Sequence, residues 1–414
     1  MKQRNIKHEK RLKKLVLTCL LLAVVLTVGT YAWFIGMQTV SVEAFEVKIA
    51  AVDNLALSID GVTWESALTI NETKLAENTY AKTTYSWTDL KPVSTIGEIS
   101  PTTNKLVMYD KGSLTATPVG YRLMASRVEN NKDVVPGGTE YLEDDGYVAF
   151  DLFVMNLSGD AYYSEITDPS NEEAVYLTYA SKVTTEETGA TASGIENSVR
   201  VGFAQIARVS ATKYGQTDDA ELIKVITGMT CEDENSDVTS ICRKAQIWEP
   251  NENDHVAGAV TWYEKTCKAR KEAENAFEVD SSAACEDLDE YITTNAVAGE
   301  ILASDYVDVY DGAYNTYEGT ADTLLQQVDT FTDTEKMQTG TDRIEFMTFA
   351  PNSITKVRVY IWIEGQDIDN YDFASLGEKI KVEFGFTKER ITTGEINEDI
   401  VPDEDLNAEV IPGA

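Results

Sequence analysis

Val357-Arg358-Val359-Tyr360-Ile361-Trp362-Ile363 fixes the fold class. Val357, Val359, Ile361 and Ile363 fall on one side of an extended chain, with Arg358, Tyr360 and Trp362 on the other. A period of two is the signature of a strand, because successive Cβ atoms point to opposite faces of a sheet. Helical winding would scatter the four aliphatic residues around a cylinder. The pattern recurs through the chain. Ile380, Val382, Phe384 and Phe386 alternate with Lys381 and Glu383; Val148, Phe150, Leu152 and Val154 form a third set; Val199, Val201 and Phe203 form a fourth. Near the start, Leu55, Leu57 and Ile59 run into Asp60-Gly61, a hairpin turn, before Val62 and Trp64. Many short strands with polar turns predict a mainly β protein, an antiparallel β-sandwich formed by residues 33–210 and 301–390. Tyr360 and Trp362, on the outward face, either pack under another layer or form a contact surface.

Residues 211–300 differ in character. They hold Cys231, Cys242, Cys267 and Cys285, and a stretch from Glu264 to Phe277 rich in Ala, Lys and Glu. This predicts a partly helical insertion. The cysteine spacings, ten residues between the first pair and seventeen between the last, are not those of zinc or redox sites. Clustered cysteines in even number predict two disulfides, with three connectivities open. Joining Cys231 to Cys242 and Cys267 to Cys285 closes the shortest loops. Residues 391–414 carry seven acids and no basic residue, and read as a disordered tail.

The N-terminus sets the compartment. Lys2, Arg4, Lys7, Lys10, Arg11, Lys13 and Lys14 precede an uncharged run from Leu15 to Val42. With Thr30 and Ala32 flanking a small-residue site, residues 1–32 read as an export signal cut after Ala32 by a signal peptidase, leaving Trp33 first. Uncut, Leu15 to Ile35 is long enough to anchor the chain in a membrane as one helix, the one membrane contact expected. Either way the basic flank directs the remainder outward, so an extracellular or cell-surface location is predicted.

Charge and composition then exclude functions. Beyond residue 32 the chain has 28 basic and 69 acidic residues, a net charge of −41, which repels nucleic acid. After export His255 is the one histidine left, and no G-x-S-x-G, H-E-x-x-H, P-loop or dinucleotide fingerprint occurs. Asp233-x-Asn235-x-Asp237 opens like a calcium loop, but Val238 stands where glycine is needed and Lys244 where a bidentate glutamate is needed. Asp367, Asp369 and Asp372 form another acidic turn with no better claim on a metal. No enzyme, metal or cofactor is therefore predicted; the further alternative is a carboxylate- or calcium-dependent hydrolase, since so many acids make chance carboxylate pairs inevitable. The strand-prone segment Val40 to Ile49 is either the first strand of its own sheet or a strand that pairs with a neighbouring subunit's sheet edge.

The junction Thr30-Tyr31-Ala32-Trp33-Phe34, followed at once by strand-like sequence, resembles exported Gram-positive proteins of the TasA and camelysin type. Gly194-Ile-Glu-Asn-Ser-Val-Arg-Val-Gly202 and Val359-Tyr-Ile-Trp-Ile-Glu-Gly-Gln-Asp367 are similar to a related set of exported proteins. The resemblance implies a jelly-roll-like sandwich, a dedicated signal peptidase and a role in surface fibres or biofilm matrix. The cysteine-bearing insertion departs from the TasA pattern. Camelysin-type proteins are classed as metalloproteases, which the missing histidines argue against here. The expected function is thus a non-catalytic structural protein that assembles partly by strand addition. The alternative is a membrane-tethered ectodomain that binds a protein or glycan.

Overall fold

The structure is a computed structural model. It describes residues 40–388 apart from 75–88, 127–131, 187–193, 251–255, 257–306, 311–323, 332–344, 371–378 and shorter breaks. Two compact units are distinguished, Met1–Val40 and Ser41–Ala414, and the principal sheets and helices belong to the second. Thr30, Ala32, Trp33, Cys267, Cys285, His255, Asp372, the stretch Glu264 to Phe277 and the tail 391–414 all lie outside the described residues. Among the described residues no helix is long and apolar enough to cross a membrane.

The molecule is mainly β. In chain order the principal strands are β1 (Phe45–Ala51), β2 (Leu55–Ser58), β3 (Ala67–Ile70), β4 (Pro92–Ser100), β5 (Lys105–Asp110), β6 (Val148–Asn156), β7 (Glu173–Leu177), β8 (Lys182–Glu186), β9 (Val199–Ser210), β10 (Thr239–Ser240), β11 (Gln246–Trp248), β12 (Met347–Phe349), β13 (Ser353–Glu364) and β14 (Lys379–Thr387). Helices α1 (Ala211–Tyr214) and α2 (Ala220–Gly228) follow β9. The larger sheet runs β11, β9, β13, β6, β2, with Thr330–Phe331 beyond β11, β10 also on β9, and β4 and β5 continuing from the end of β13. The smaller runs β12, β7, β14, β1, β3, with β8 also on β14. Ser113–Thr117, Gly120–Ser126, Val307–Tyr310 and Leu324–Leu325 make a separate sheet.

The expectation of wholly antiparallel sheets is corrected: both principal sheets are mixed. β1 runs parallel to β14 from Phe45↔Ile380 to Ala51↔Phe386, β4 parallel to the end of β13, and Thr330–Phe331 parallel to β11. Alternation identifies a strand but carries no direction. Strands far apart in the chain have no tight turn to force them antiparallel. Phe45–Ala51 is thus the first long strand of its own sheet, with Val47 and Ile49 buried between β14 and β3.

The alternating sets meet as their apolar faces require. Phe150 and Phe203 flank Val359 in register, and the Phe203 ring meets Phe384 and Phe386 of the smaller sheet edge-on, with centroids 5.2 and 6.0 Å apart. The opposite face of β13 is covered too. Tyr360 and Trp362 share a core with Leu106 and Met108 of β5, Ile226 of α2 and Ile247 of β11. Every residue of β13 is therefore buried. Of the two readings of Tyr360 and Trp362, packing under another layer holds.

Local chemistry explains the connections. Gly61 sits at φ +73°, where a side chain is strained, and Asp60 Oδ1 accepts from the N–H groups of Val62 and Thr63 at 2.8 Å each, closing a turn. The expected hairpin is corrected: past this turn a single antiparallel bridge, Leu57↔Glu65, forms, Val62 and Trp64 belong to no strand, and β3 joins the other sheet. Asp219 caps α2 by accepting from the Glu221 N–H at 2.9 Å. Cys231 and Cys242 are joined, with Cα atoms 5.2 Å apart, which is the pairing expected for them. The loop they close is stitched to the larger sheet. Where β9 shifts register around Ile206, the Ile206 carbonyl accepts from the N–H groups of Ile241 and Cys242.

Candidate functional site

The outer face of β13 carries Lys356 and Arg358 into the second core, and register sets Asp151 of β6 opposite Arg358. The guanidinium grips that carboxylate with two bonds, Nε to Oδ1 at 2.6 Å and Nη2 to Oδ2 at 2.9 Å. Lys356 Nζ lies 3.2 Å from Asp151 Oδ2 and donates to the carbonyls of Thr227 and Met229 at 2.9 and 3.1 Å. Three ammonium hydrogens thus meet three acceptors. Two of those acceptors end α2, where carbonyls lack a helical partner and the helix dipole favours a cation.

Glu143 completes the seam. It accepts from the hydroxyls of Tyr147 and Tyr360 at 2.8 and 3.0 Å, and Lys105 Nζ stands 3.3 Å away. Tyr360 in turn accepts from the Leu106 N–H at 2.9 Å. Every charge in the seam is buried. Burial pushes the Asp151 carboxyl up, but the charges of Arg358 and Lys356 prevail and hold it well below the usual carboxylate range. Burial, against the pull of Asp151, drives the Lys356 ammonium down to about 8. Tyr360 is pushed well above a normal phenol, by burial first and then by the Glu143 charge.

A second cluster joins the two stretches that carried the family resemblance. Arg200 of β9 donates from Nη2 to Asp367 Oδ2 at 2.7 Å, from Nε to Glu249 Oε1 at 3.0 Å and from Nη1 to the Asn197 carbonyl at 2.9 Å. Asp369 Oδ1 accepts from the Val256 N–H at 3.0 Å. Gly194 stands at φ +83°, and a Cβ there would lie 2.7 Å from the Val256 methyls. In a third cluster Glu172 takes hydrogen bonds from Arg208, Arg243 and Thr348. Burial raises the Glu172 carboxyl, and those bonds outweigh it and keep the carboxyl below its ordinary range.

The acidic motifs seen in the sequence are engaged by protein groups. Asp367 and Asp369 serve the Arg200 cluster. Asp233 Oδ1 accepts from the Asn235 N–H, Asn235 Oδ1 accepts from the Asp237 N–H, and Asp237 pairs with Lys213 and Tyr214. Among the described residues no group of three or more His, Cys, Asp or Glu is arranged to hold a metal. Sequence reading singled out none of Lys105, Glu143, Asp151 or Lys356 as a site. The available signal was a carboxylate at 151 and cations at 356 and 358 inside otherwise apolar strands. Comparison with protein-family models, curated proteins and solved structures finds no match. By their chemistry these clusters clamp layers together, each charge facing a partner within the protein.

Proposed function

We propose that this is an exported, non-catalytic structural protein of the cell surface, a subunit or accessory of a fibre or extracellular matrix, whose two sheets pack as a jelly-roll-like sandwich. The observation that carries the reading is the parallel pairing of β1 with β14 over seven residue pairs. Tension between the chain before β1 and the chain after β14 drags these strands past each other along their length. The whole ladder then resists at once, whereas a hairpin pulled at its open end loses one bond at a time. The buried seam supports the same reading, since its charges are turned toward each other and away from any substrate. Export rests on the leader, cut after Ala32. Strand addition would bring residues 33–44 of one copy onto β3, the short edge strand of the next.

The test compares residues 33–414 with a version starting at residue 45, by electron microscopy and single-molecule stretching. Fibres from the longer form alone, and a high unfolding force in both, are expected. A longer form that stays monomeric at every concentration and salt overturns assembly. Recovery of the native protein with Met1 in place would shift the reading to a tethered ectodomain.

A further inference from the structure

Where β6 ends, a lysine, an asparagine and a glutamate converge that take no part in the charge clusters. Asn156 is the last residue of β6 and fully buried. Glu173 opens β7, and Lys388 directly follows β14. The Asn156 carbonyl Oδ1 accepts from Lys388 Nζ at 3.2 Å, from the Ser158 N–H at 3.2 Å and from Ser158 Oγ at 2.9 Å. Its amide Nδ2 donates to Glu173 Oε2 at 2.8 Å and to the Ala350 carbonyl at 3.1 Å. Lys388 Nζ stands 3.2 Å from the same Glu173 oxygen, which Ser158 Oγ also reaches. One carboxylate oxygen therefore touches both the lysine nitrogen and the amide nitrogen.

We infer that Lys388 and Asn156 form an intramolecular isopeptide bond, with Glu173 as the acid–base group. The parts match those of acyl transfer. Glu173 takes a proton from the Lys388 ammonium, and the freed lone pair attacks Asn156 Cγ. Charge moves to Oδ1, where the Ser158 N–H and hydroxyl receive it as an oxyanion hole. The Cγ–Nδ2 bond breaks, Glu173 returns its proton to Nδ2, and one of the two protons left on the attacking nitrogen leaves with the ammonia while the other stays as the amide N–H. An ammonium and a primary amide become a secondary amide and an ammonium ion, so no oxidant, reductant or cofactor is required. The reaction runs once per molecule and tolerates a slow step.

Charge state separates this site from the seam. Lys356 lies equally near Asp151, but Arg358 keeps that carboxyl ionised, and a carboxylate anion offers an amine no leaving group. Asn156 is a neutral amide with its departing nitrogen already on a proton donor in waiting. The bond would join the end of β6 in the larger sheet to the exit of β14 in the smaller, across 232 positions of sequence. Its chemistry does not depend on the proposed surface role.

The test is peptide mapping of the full chain, purified folded, then denatured, reduced and digested with trypsin. Expected is a branched peptide joining the Asn156 and Lys388 segments, lighter than their sum by one ammonia and uncut after Lys388. Glu173→Gln and Lys388→Arg should return linear peptides from protein that still melts cooperatively. Linear peptides from the wild-type chain, or Asn156 recovered as aspartate with Lys388 cleaved, overturn the bond, whether or not the variants fold. A branched peptide in Glu173→Gln overturns the role given to Glu173.

Discussion

Lys356 and Lys388 each stand 3.2 Å from a side-chain oxygen, yet their surroundings oppose each other. Lys356 is locked in the second core among an ionised aspartate and two helix carbonyls. Lys388 lies at a strand exit, against an uncharged amide and a glutamate it shares with that amide. Proximity is the same; what differs is whether the partner can be acylating. An arginine that fixes a carboxylate turns a lysine contact into a lock, and its absence leaves chemistry open.

The largest expected effect breaks the reactive side of this comparison. Lys388→Ala should remove a cross-link that closes a very long loop, lowering stability by about 5 kcal/mol on the chain-entropy view. Denaturant unfolding measures this, and Glu173→Gln should lose a similar amount. A loss below about 1 kcal/mol in both would fit hydrogen bonds alone.

Next comes the locked side. Asp151→Ala leaves Lys105, Lys356 and Arg358 facing a single carboxylate, and should destabilise by about 3–5 kcal/mol in denaturant unfolding. Lys356→Met, which keeps the Arg358–Asp151 grip and removes a buried charge, should be near neutral at pH 7.

A smaller effect is read from pH. With its folded value at about 8, Lys356 carries the full penalty of buried charge below that pH. Between about 8 and the ordinary lysine value of about 10.4 the unfolded chain binds more protons, so folding gains from rising pH. Wild type should gain on Lys356→Met by up to about 1.4 kcal/mol per pH unit there. Parallel melting curves for the two proteins across that window would contradict it. At acid pH the slope has the same sign, because there too the unfolded chain binds more protons. Asp151, Glu172 and Glu173 are all held below their ordinary values, Glu173 because the hydrogen bonds from Ser158 and Asn156 and the Lys388 charge outweigh burial. Their stabilisation is present above about pH 4 and lost as pH falls further. The smallest change, Asp60→Ala, should cost about 1 kcal/mol through the turn it closes.

How much of this was legible depended on range. The four alternating sets announced β6, β9, β13 and β14, because side-chain period is a local property of the backbone. Asp60-Gly61 announced its turn for the same reason, and proximity in sequence favoured the Cys231–Cys242 pairing. Strand direction was not legible, since Phe45 meets Ile380 only after the whole unit has folded. A layer over Tyr360 and Trp362 was one of two readings; that it comes from β5 and α2, far from β13 in the chain, was not legible. Sequence reading singled out none of Asn156, Glu173 and Lys388. Only the packing of the two sheets makes them neighbours.

The place of β1 constrains the birth of the protein. A polypeptide threaded outward leader first would release this strand early, with β3 beside it but with the partner on its other edge still unsynthesised or untranslocated. Half of its backbone hydrogen-bonding groups must stay with water until the closing segment arrives, so the smaller sheet can complete itself only when delivery is finished. On the proposed export route, such an order would keep the chain slack during passage and defer rigidity to its destination.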